Sequence, residues 1–190
     1  MSDKVTLVYE NGEYTVSIND KIVNVNKYMD NAIESFTQVI TDNAVVKGIA
    51  WDNILKDLED VKDDKLEINN DYNTLTFGAI KYFYRTDKVF DTRNGEMYQL
   101  LGGYHLFSFI VKMTCAGFIK NYEDVLDFLK EVLERKVVYR TSETSIIVTS
   151  PAFNYGSAEY NFISGKINRG ATIEKMSFDL YKKYVLNTIK

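Results

Sequence analysis

Three residue types that mark particular chemistries are almost missing from this chain. Its 190 residues include one cysteine, one histidine and one proline. Because Cys115 has no second cysteine, an intramolecular disulfide is excluded and a reducing compartment fits. His105 has no second histidine or paired cysteines with which to bind zinc, and no orienting acid marks it as a general base. The scarcity of proline, with 14 tyrosines and 11 phenylalanines, argues against long disordered tails or linkers.

Signatures of nucleic-acid and membrane binding are also missing. The formal net charge is -4 and the pI is about 5.1, which argues against a basic face for a phosphate backbone. No apolar run approaches the ~20 residues of a membrane helix, and no apolar signal segment follows Met1. We therefore expect a cytoplasmic protein with no nucleic-acid partner and no membrane partner.

No motif for catalysis or cofactor binding stands out. The pair Gly102-Gly103 lacks the G-x-x-x-x-G-K-[ST] pattern of a phosphate loop and is expected at a kink or a close helix–helix approach. The acidic segment 57–64 lacks calcium-loop spacing, so a solvated helix face is expected there. Cys115, in an apolar run with no base nearby in sequence, is expected to be a buried structural thiol. The sequence predicts no enzyme and no catalytic, cofactor or metal site.

What is present favours a single α+β domain. With 45% hydrophobic and 26% charged residues, a chain of this length can bury a sizeable core. Alternating apolar residues flank Asn11-Gly12, a dipeptide that supplies the positive φ angles of a type I′ turn. The chain is therefore expected to open with a β-hairpin over residues 5–18. Residues 21–25 either add a third strand or lead directly into a helix.

Apolar residues recur at three- and four-residue spacing through the middle of the chain, which predicts helices. A short strand with Leu66 and Ile68 interrupts them. Asp52 is a candidate helix cap, and Asn121 is another, followed by two acidic residues that suit the positive end of a helix dipole. The expected helical segments are residues 26–41, 54–61, 75–84, 97–104, 107–119 and 122–133.

The last third of the chain changes character. Residues 136–140 and 145–149 are rich in β-branched side chains and predict a second hairpin, which Pro151 ends. Residues 152–170 are expected to form strand and loop, and Thr172 is expected to cap a final helix. Tyr155, Tyr160 and Phe162 are either core residues or interface anchors, and core is the commoner role for irregularly spaced aromatics. No internal sequence repeat is evident.

Residues 3–121 resemble the BTB/POZ family, including its adaptors of the Skp and elongin C type. The resemblance lies in hydrophobic patterns and carries no catalytic signature. Asp3–Val8 followed by Gly12–Val16 is similar to the first hairpin of the family, and Ser35-Phe36 is similar to its Ser-x-x-Phe region. Two longer segments resemble the "F…YxYTGxV" segment and the "NYLxIxxLLxxTC" helix pair. They contain Phe77, Ile80, Tyr82, Tyr84 and Thr86–Val89, and then Tyr104, Phe107, Ile110, Val111, Met113, Thr114, Cys115 and Phe118.

The resemblance implies a BTB/POZ-like domain at residues 1–121, with residues 122–190 as a helix, hairpin and helix extension packed on it. It also implies a protein–protein interaction module, either a homo-oligomerisation domain or an adaptor for a cullin-type ubiquitin ligase. The implied partner is a cullin-like scaffold or a second copy of the chain. The implied partner-binding residues are Asp71, Tyr72, Asp87, Lys88, Tyr104 and Phe107.

One alternative is a structural or assembly protein, for example of a virus, that uses the same fold without a ubiquitin-ligase function. It is favoured by the region from Lys136 onward, which matches neither kelch repeats nor the short tail that contacts F-boxes in the family. An added hairpin and helix give a new surface.

Overall fold

The computed structural model describes residues 4–33, 35–36, 50–95 and 97–190. The chain divides into two compact units, Met1–Ile54 and Leu55–Lys190. Both helices and sheets are present, which confirms the α+β class. The predicted domain boundary near residue 121 lies inside the second unit. None of the helices in the described ranges is long and apolar enough to cross a membrane.

The first unit contains a three-stranded antiparallel sheet. Its strands are β1 (Val5–Glu10), β2 (Glu13–Ile18) and β3 (Lys21–Asn26), in that order. The predicted hairpin is confirmed, since β1 pairs with β2 around Asn11 and Gly12, whose φ angles are 53° and 85°. Of the two alternatives for residues 21–25, the third strand is the one that forms.

Helical structure follows β3 at residues 29–33, 35 and 36, inside the predicted helix 26–41. Residues 37–41 of that prediction lie outside the described residues. A further helix, α1 (Trp51–Asp57), carries Asp52 in its first turn. It forms only the first part of the predicted segment 54–61, because residues from 58 onward form turns and extended chain.

The second unit begins with a five-stranded antiparallel sheet in which every strand pairs with its sequence neighbour. Short 3-10 turns connect the later strands, at Tyr84–Thr86 and Arg93–Gly95. The predicted strand at Leu66 and Ile68 is confirmed as the first of the five. The strands are β4 (Leu66–Asn69), β5 (Thr74–Phe77), β6 (Ile80–Phe83), β7 (Lys88–Asp91) and β8 (Tyr98–Leu100).

The predicted helix over residues 75–84 is wrong. This segment is the hairpin of β5 and β6, joined by a two-residue loop with Gly78 at φ 54°. Leu75, Phe77, Ile80 and Tyr82 share one side of the sheet, and Phe83 faces the other. The two-residue loop leaves the inward positions 77 and 80 three residues apart, which is a helical spacing. The predicted helix over 97–104 is also wrong for its first half, since residues 98–100 are β8 and helical structure begins at Gly103.

Two helices connect the first five-stranded sheet to the second. The helix α2 (Gly103–Cys115) is buried on most of its circumference, as predicted, and packs on β6 and β7. The helix α3 (Tyr122–Glu134) begins at Asn121, whose side chain accepts a hydrogen bond from the Glu123 amide at 3.1 Å. The predicted Asn121 cap is therefore confirmed.

The second five-stranded sheet is again an antiparallel meander. Its first two strands confirm the predicted second hairpin. The predicted cap at Thr172 is wrong, because residues 173–175 form the last strand and the final helix, α4 (Phe178–Thr188), is capped by Ser177. The strands are β9 (Val138–Thr141), β10 (Ser145–Thr149), β11 (Ser157–Asn161), β12 (Lys166–Asn168) and β13 (Ile173–Lys175).

The second unit therefore repeats one arrangement, a five-stranded meander followed by a helix, with α3 between the two copies. The sequences of the two copies show no matching motif, so the repetition is one of topology. An aromatic cluster of Tyr160, Phe162, Phe178 and Tyr181 packs α4 on the second sheet, and Phe128 joins it from α3. Tyr160 and Phe162 are thus core residues, whereas Tyr155 is exposed.

Candidate interaction surfaces

The six residues expected to bind a partner fall into two groups. Asp71 and Tyr72 are exposed in the loop between β4 and β5, and Asp87 and Lys88 are exposed at the start of β7. Tyr104 and Phe107 are side chains of the core in α2. The first four therefore lie on the surface, and the last two contribute to packing.

Asp87 is exposed, but its carboxylate also makes hydrogen bonds that hold the fold together. Its backbone is left-handed, with φ 47°, and its carboxylate accepts hydrogen bonds from the Tyr104 amide at 2.9 Å and the Tyr82 hydroxyl at 3.1 Å. A Cβ at Gly103 would overlap this carboxylate, so a residue without a side chain is required beside it. Burial and the Asp87 carboxylate raise the pKa of Tyr82, which keeps its hydroxyl protonated as a donor. Asp87 thus fixes the start of α2 against the first five-stranded sheet.

A polar stripe runs along α2 and ends on one carboxylate. Tyr104, Ser108 and Lys112 are spaced four residues apart and so lie on one face of the helix. Their side chains contact Asp57, with distances of 2.7 Å from the Tyr104 hydroxyl, 3.2 Å from Ser108 Oγ and 2.5 Å from Lys112 Nζ. Burial raises the pKa of Asp57, but hydrogen bonds from Lys112 and Tyr104 outweigh it and lower the pKa. Asp57 therefore anchors this stripe although it is exposed, and the exposure of Asp57, Glu59, Asp60 and Asp64 agrees with the solvated face predicted for segment 57–64.

An open groove of about 640 Å³ lies beside this stripe, lined by Lys62, Lys112 and Cys115 among others. The prediction that Cys115 is buried is wrong, because it lies exposed at the end of α2. Burial of its sulfur and the nearby Asp63 carboxylate raise the pKa of the Cys115 thiol, which disfavours the nucleophilic thiolate. Lys112, which also lines the groove, is paired with Asp57.

A buried ion cluster holds α3 to the first five-stranded sheet. Asp91, at the end of β7, is 1% exposed and points to the covered side of the sheet, opposite Ile80. Its carboxylate contacts Arg93 at 2.7 Å and Lys130 of α3 at 2.6 Å. Burial raises the pKa of Asp91, but the hydrogen bonds from Arg93 and Lys130 outweigh it and lower the pKa to about 2. No local motif predicts this cluster, and the one signal in the sequence is an acid at an inward position of an alternating strand.

Exposed apolar side chains concentrate in the first unit. Eight of the 18 large hydrophobic residues exposed in the described ranges lie between residues 8 and 33, which is a short part of the chain. Three of them form what we call the N-terminal apolar face: Val8 (49% exposed), Ile22 (61%) and Val25 (49%). They share one side of the sheet. Val8 and Val25 lie opposite Thr15 of β2 from its two neighbouring strands, and Ile22 lies opposite Ser17. Thr15 and Ser17 are two residues apart in β2 and so face the same side.

The edge of the same sheet is also open in the described part of the chain. There β3 pairs with β2 alone, so its other edge is a row of unpaired backbone groups. It is six residues long, has no proline and carries one charge, Lys21, at its end. Such an edge is a template for another strand.

Groups suited to metal binding or catalysis do not assemble. Across residues 4–33, 35–36, 50–95 and 97–190, no group of three or more His, Cys, Asp or Glu side chains is placed to hold a metal ion. His105 is exposed on α2.

Comparison with known proteins found no matching family model, no matching curated protein and no matching solved structure.

Proposed function

We propose that this chain is a protein–protein interaction module that associates with copies of itself through its N-terminal sheet. The observation that carries the proposal is the N-terminal apolar face, Val8, Ile22 and Val25, next to an open strand edge. Exposed apolar side chains beside a strand edge that is unpaired in the described residues are typical of a contact surface. The lone cysteine and the acidic net charge support a cytoplasmic protein that binds protein rather than nucleic acid.

The free energy gained by burying the exposed apolar side chains limits how tightly two copies can associate. Fully burying a valine or isoleucine side chain contributes about 1.5–3 kcal/mol, so covering one that is half exposed contributes roughly 1 kcal/mol. Of the three, only Ile22 and Val25 lie in the edge strand, so two residues from each of two copies contribute on the order of 4 kcal/mol, which reaches only the lower end of the cost of association, about 4–15 kcal/mol. Apolar contact alone would thus give weak association, and the strand edge supplies the additional hydrogen bonds.

Light scattering on wild type and on Val25→Lys tests this proposal. A lysine at this position puts a charge in the contact, so the associated fraction at a given concentration should fall at least about tenfold. The matched control is Val138→Lys, because Val138 is an exposed valine in β9, an edge strand of another sheet. A wild-type chain that stays monomeric at high concentration contradicts the proposal, as does dissociation by Val138→Lys but not by Val25→Lys.

The adaptor form of the proposal, with a BTB/POZ-like fold and a cullin-type scaffold as partner, is supported by the sequence resemblance. The opening hairpin and the α2 helix agree with it. The segment with Phe77, Tyr82 and Val89 forms strands, whereas the apolar spacing predicted a helix over residues 75–84. Lys88 tests partner binding more specifically than Asp87 does. Charge reversal at Asp87 would also remove its hydrogen bonds with Tyr82 and Tyr104 and so disturb the fold.

A pull-down with a cullin fragment tests the adaptor form. Capture by wild type that is lost in Lys88→Glu supports it, and failure of the wild-type chain to capture the fragment contradicts it. The structural or assembly role is the second candidate, and the N-terminal apolar face favours it equally. In light scattering, an assembly protein grows beyond a dimer as concentration rises, whereas association that stops at a dimer fits the adaptor form.

A further inference from the structure

The pairing geometry of β3 carries a more specific inference, which rests on the proposed self-association. Between Val16 and Ser17 of β2 the register shifts, so that Asn24 lies opposite Val16 and Ile22 lies opposite Ser17. Val23 is left without an opposite residue, which makes it the extra residue of a β-bulge. In a regular strand Ile22 and Val25 would face opposite sides, because they are an odd number of residues apart. The bulge places both on the N-terminal apolar face.

Lys21, Asn24 and Asn26 share the other side. Asn24 and Asn26 lie opposite Val16 and Tyr14, and the Asn26 side-chain amide donates to the Asn24 side-chain oxygen at 2.6 Å. Lys21 lies opposite Ile18, on the same side as Val16. Ile22 and Val25 thus lie on one side of β3 and the three polar residues on the other, with Val23 in the bulge between them.

When two identical strands pair in antiparallel orientation, a two-fold axis perpendicular to the sheet relates them. This rotation keeps each side chain on its own side of the sheet, so residues directly opposite each other share a side. A pairing that uses all six residues of β3 satisfies this rule when Lys21 lies opposite Asn26 and Ile22 opposite Val25. The bulge is what permits this register. It sets two Ile–Val pairs across the junction and leaves no like charges opposite each other, since Lys21 is the only charged residue of the strand.

We infer that two copies of this chain pair β3 with β3 in antiparallel orientation, with Ile22 opposite Val25, to form a continuous six-stranded sheet. A second copy is the occupant that this edge fits because the apolar and polar sides of β3 are self-complementary in that one register. The other edges of the described sheets fit less well. β4, β8, β9 and β13 have three or four residues each, and all but β8 carry a charged residue. β1 is as long as β3 but ends in Glu10.

Disulfide cross-linking measures this register directly. With Cys115→Ser as background, the double variant Ile22→Cys/Val25→Cys brings two cysteine pairs opposite each other at ~5 Å between Cα atoms, within reach of a disulfide. In each single variant, the cysteine of one copy lies three residues along the strand from the same cysteine of the second copy. That distance is about 10 Å, which is too far for a disulfide. Under mild oxidation the double variant should give a band at twice the chain mass that reduction removes, and the single variants should not.

The outcomes separate this inference from the proposed function. Light scattering of the reduced double variant establishes whether the copies associate at all. Association without a cross-link in the double variant overturns the β3 register and leaves self-association standing. Cross-linking of a Leu7→Cys variant to itself, with none at β3, assigns the junction to β1 and also overturns it. Wild-type chain that never associates overturns both proposals.

Discussion

The N-terminal sheet and the two five-stranded sheets differ in how their apolar sides are covered. In the first five-stranded sheet the inward row of Leu75, Tyr82 and Val89 is completely buried or nearly so. In the N-terminal sheet Val8 and Val25 are about half exposed. The helices of the second unit cover the five-stranded sheets. This exposed row of the N-terminal sheet is the observation on which the proposed self-association rests.

The largest loss of folding stability should come from breaking the ion cluster that holds α3 to the first five-stranded sheet. Asp91→Ala leaves Arg93 and Lys130 without their buried carboxylate, and removing one partner of a buried pair costs about 3–5 kcal/mol. The measurement is the free energy of unfolding in urea. The control Asp127→Ala removes an exposed partner of Arg93 and should cost roughly 0–1 kcal/mol. Equal losses in the two variants would show that the cluster does not depend on burial.

The same cluster predicts how stability depends on pH. Because the folded pKa of Asp91, about 2, lies below its ordinary value, the carboxylate contributes stability that is present above that ordinary value. That contribution is lost as pH falls toward 2. Urea unfolding between pH 5 and pH 2 should therefore show a steeper loss in wild type than in Asp91→Ala. Parallel profiles for the two proteins would contradict the lowered pKa.

Two glycines allow a matched test of the turns in the two regions. Gly78→Ala places a side chain at φ 54° where it overlaps the Tyr122 hydroxyl, which accepts a hydrogen bond from Ala79. Backbone strain and the lost bond together should cost about 2–4 kcal/mol. Gly12→Ala, at φ 85° in the N-terminal hairpin, meets open space and should cost only the strain, about 1–2 kcal/mol. Thermal unfolding that ranks Gly12→Ala as the worse variant would contradict this account of the β5–β6 turn.

A smaller difference in folding stability is expected between removing the hydroxyl of Tyr82, in the first five-stranded sheet, and that of Tyr181, which packs on the second. The Tyr82 hydroxyl donates to the Asp87 carboxylate, and the Tyr181 hydroxyl donates to the Ala158 carbonyl at 3.0 Å. A hydrogen bond to a charged group contributes about 1.5–3 kcal/mol and a neutral one about 0.5–1.5 kcal/mol. Tyr82→Phe should therefore destabilise more than Tyr181→Phe in urea unfolding. The reverse order would mean that Asp87 is not a fixed part of the α2 start.

Sequence patterns predicted the elements whose signals are local. The Asn11-Gly12 turn, the Asn121 cap and the buried α2 helix each depend on residues close together in the chain, and each is confirmed. The β5–β6 hairpin was mistaken for a helix because Gly78 reverses the chain within a run of apolar residues. A Gly at the first loop position is the turn signal that distinguishes the two.

The surfaces were harder to predict than the elements. Tyr104 and Phe107 were expected to bind a partner, but whether an aromatic side chain of a helix faces solvent or core depends on which sheet the helix covers. The Asp57 and Asp91 contacts join residues that are 55 and 39 positions apart, to Lys112 and Lys130, and no local pattern encodes such pairs. The N-terminal apolar face depends on a β-bulge at Val23, which only the pairing of β2 and β3 reveals.

Amide hydrogen exchange at two protein concentrations tests the central claim, self-association through the N-terminal sheet, most directly. At a concentration where light scattering shows association, residues 21–26 should exchange more slowly than in dilute protein, because their free edge becomes hydrogen-bonded. Residues 74–91 of the first five-stranded sheet provide the internal reference and should not change. Unchanged exchange at residues 21–26 in the associated state, or protection that appears at another sheet edge instead, would contradict the account.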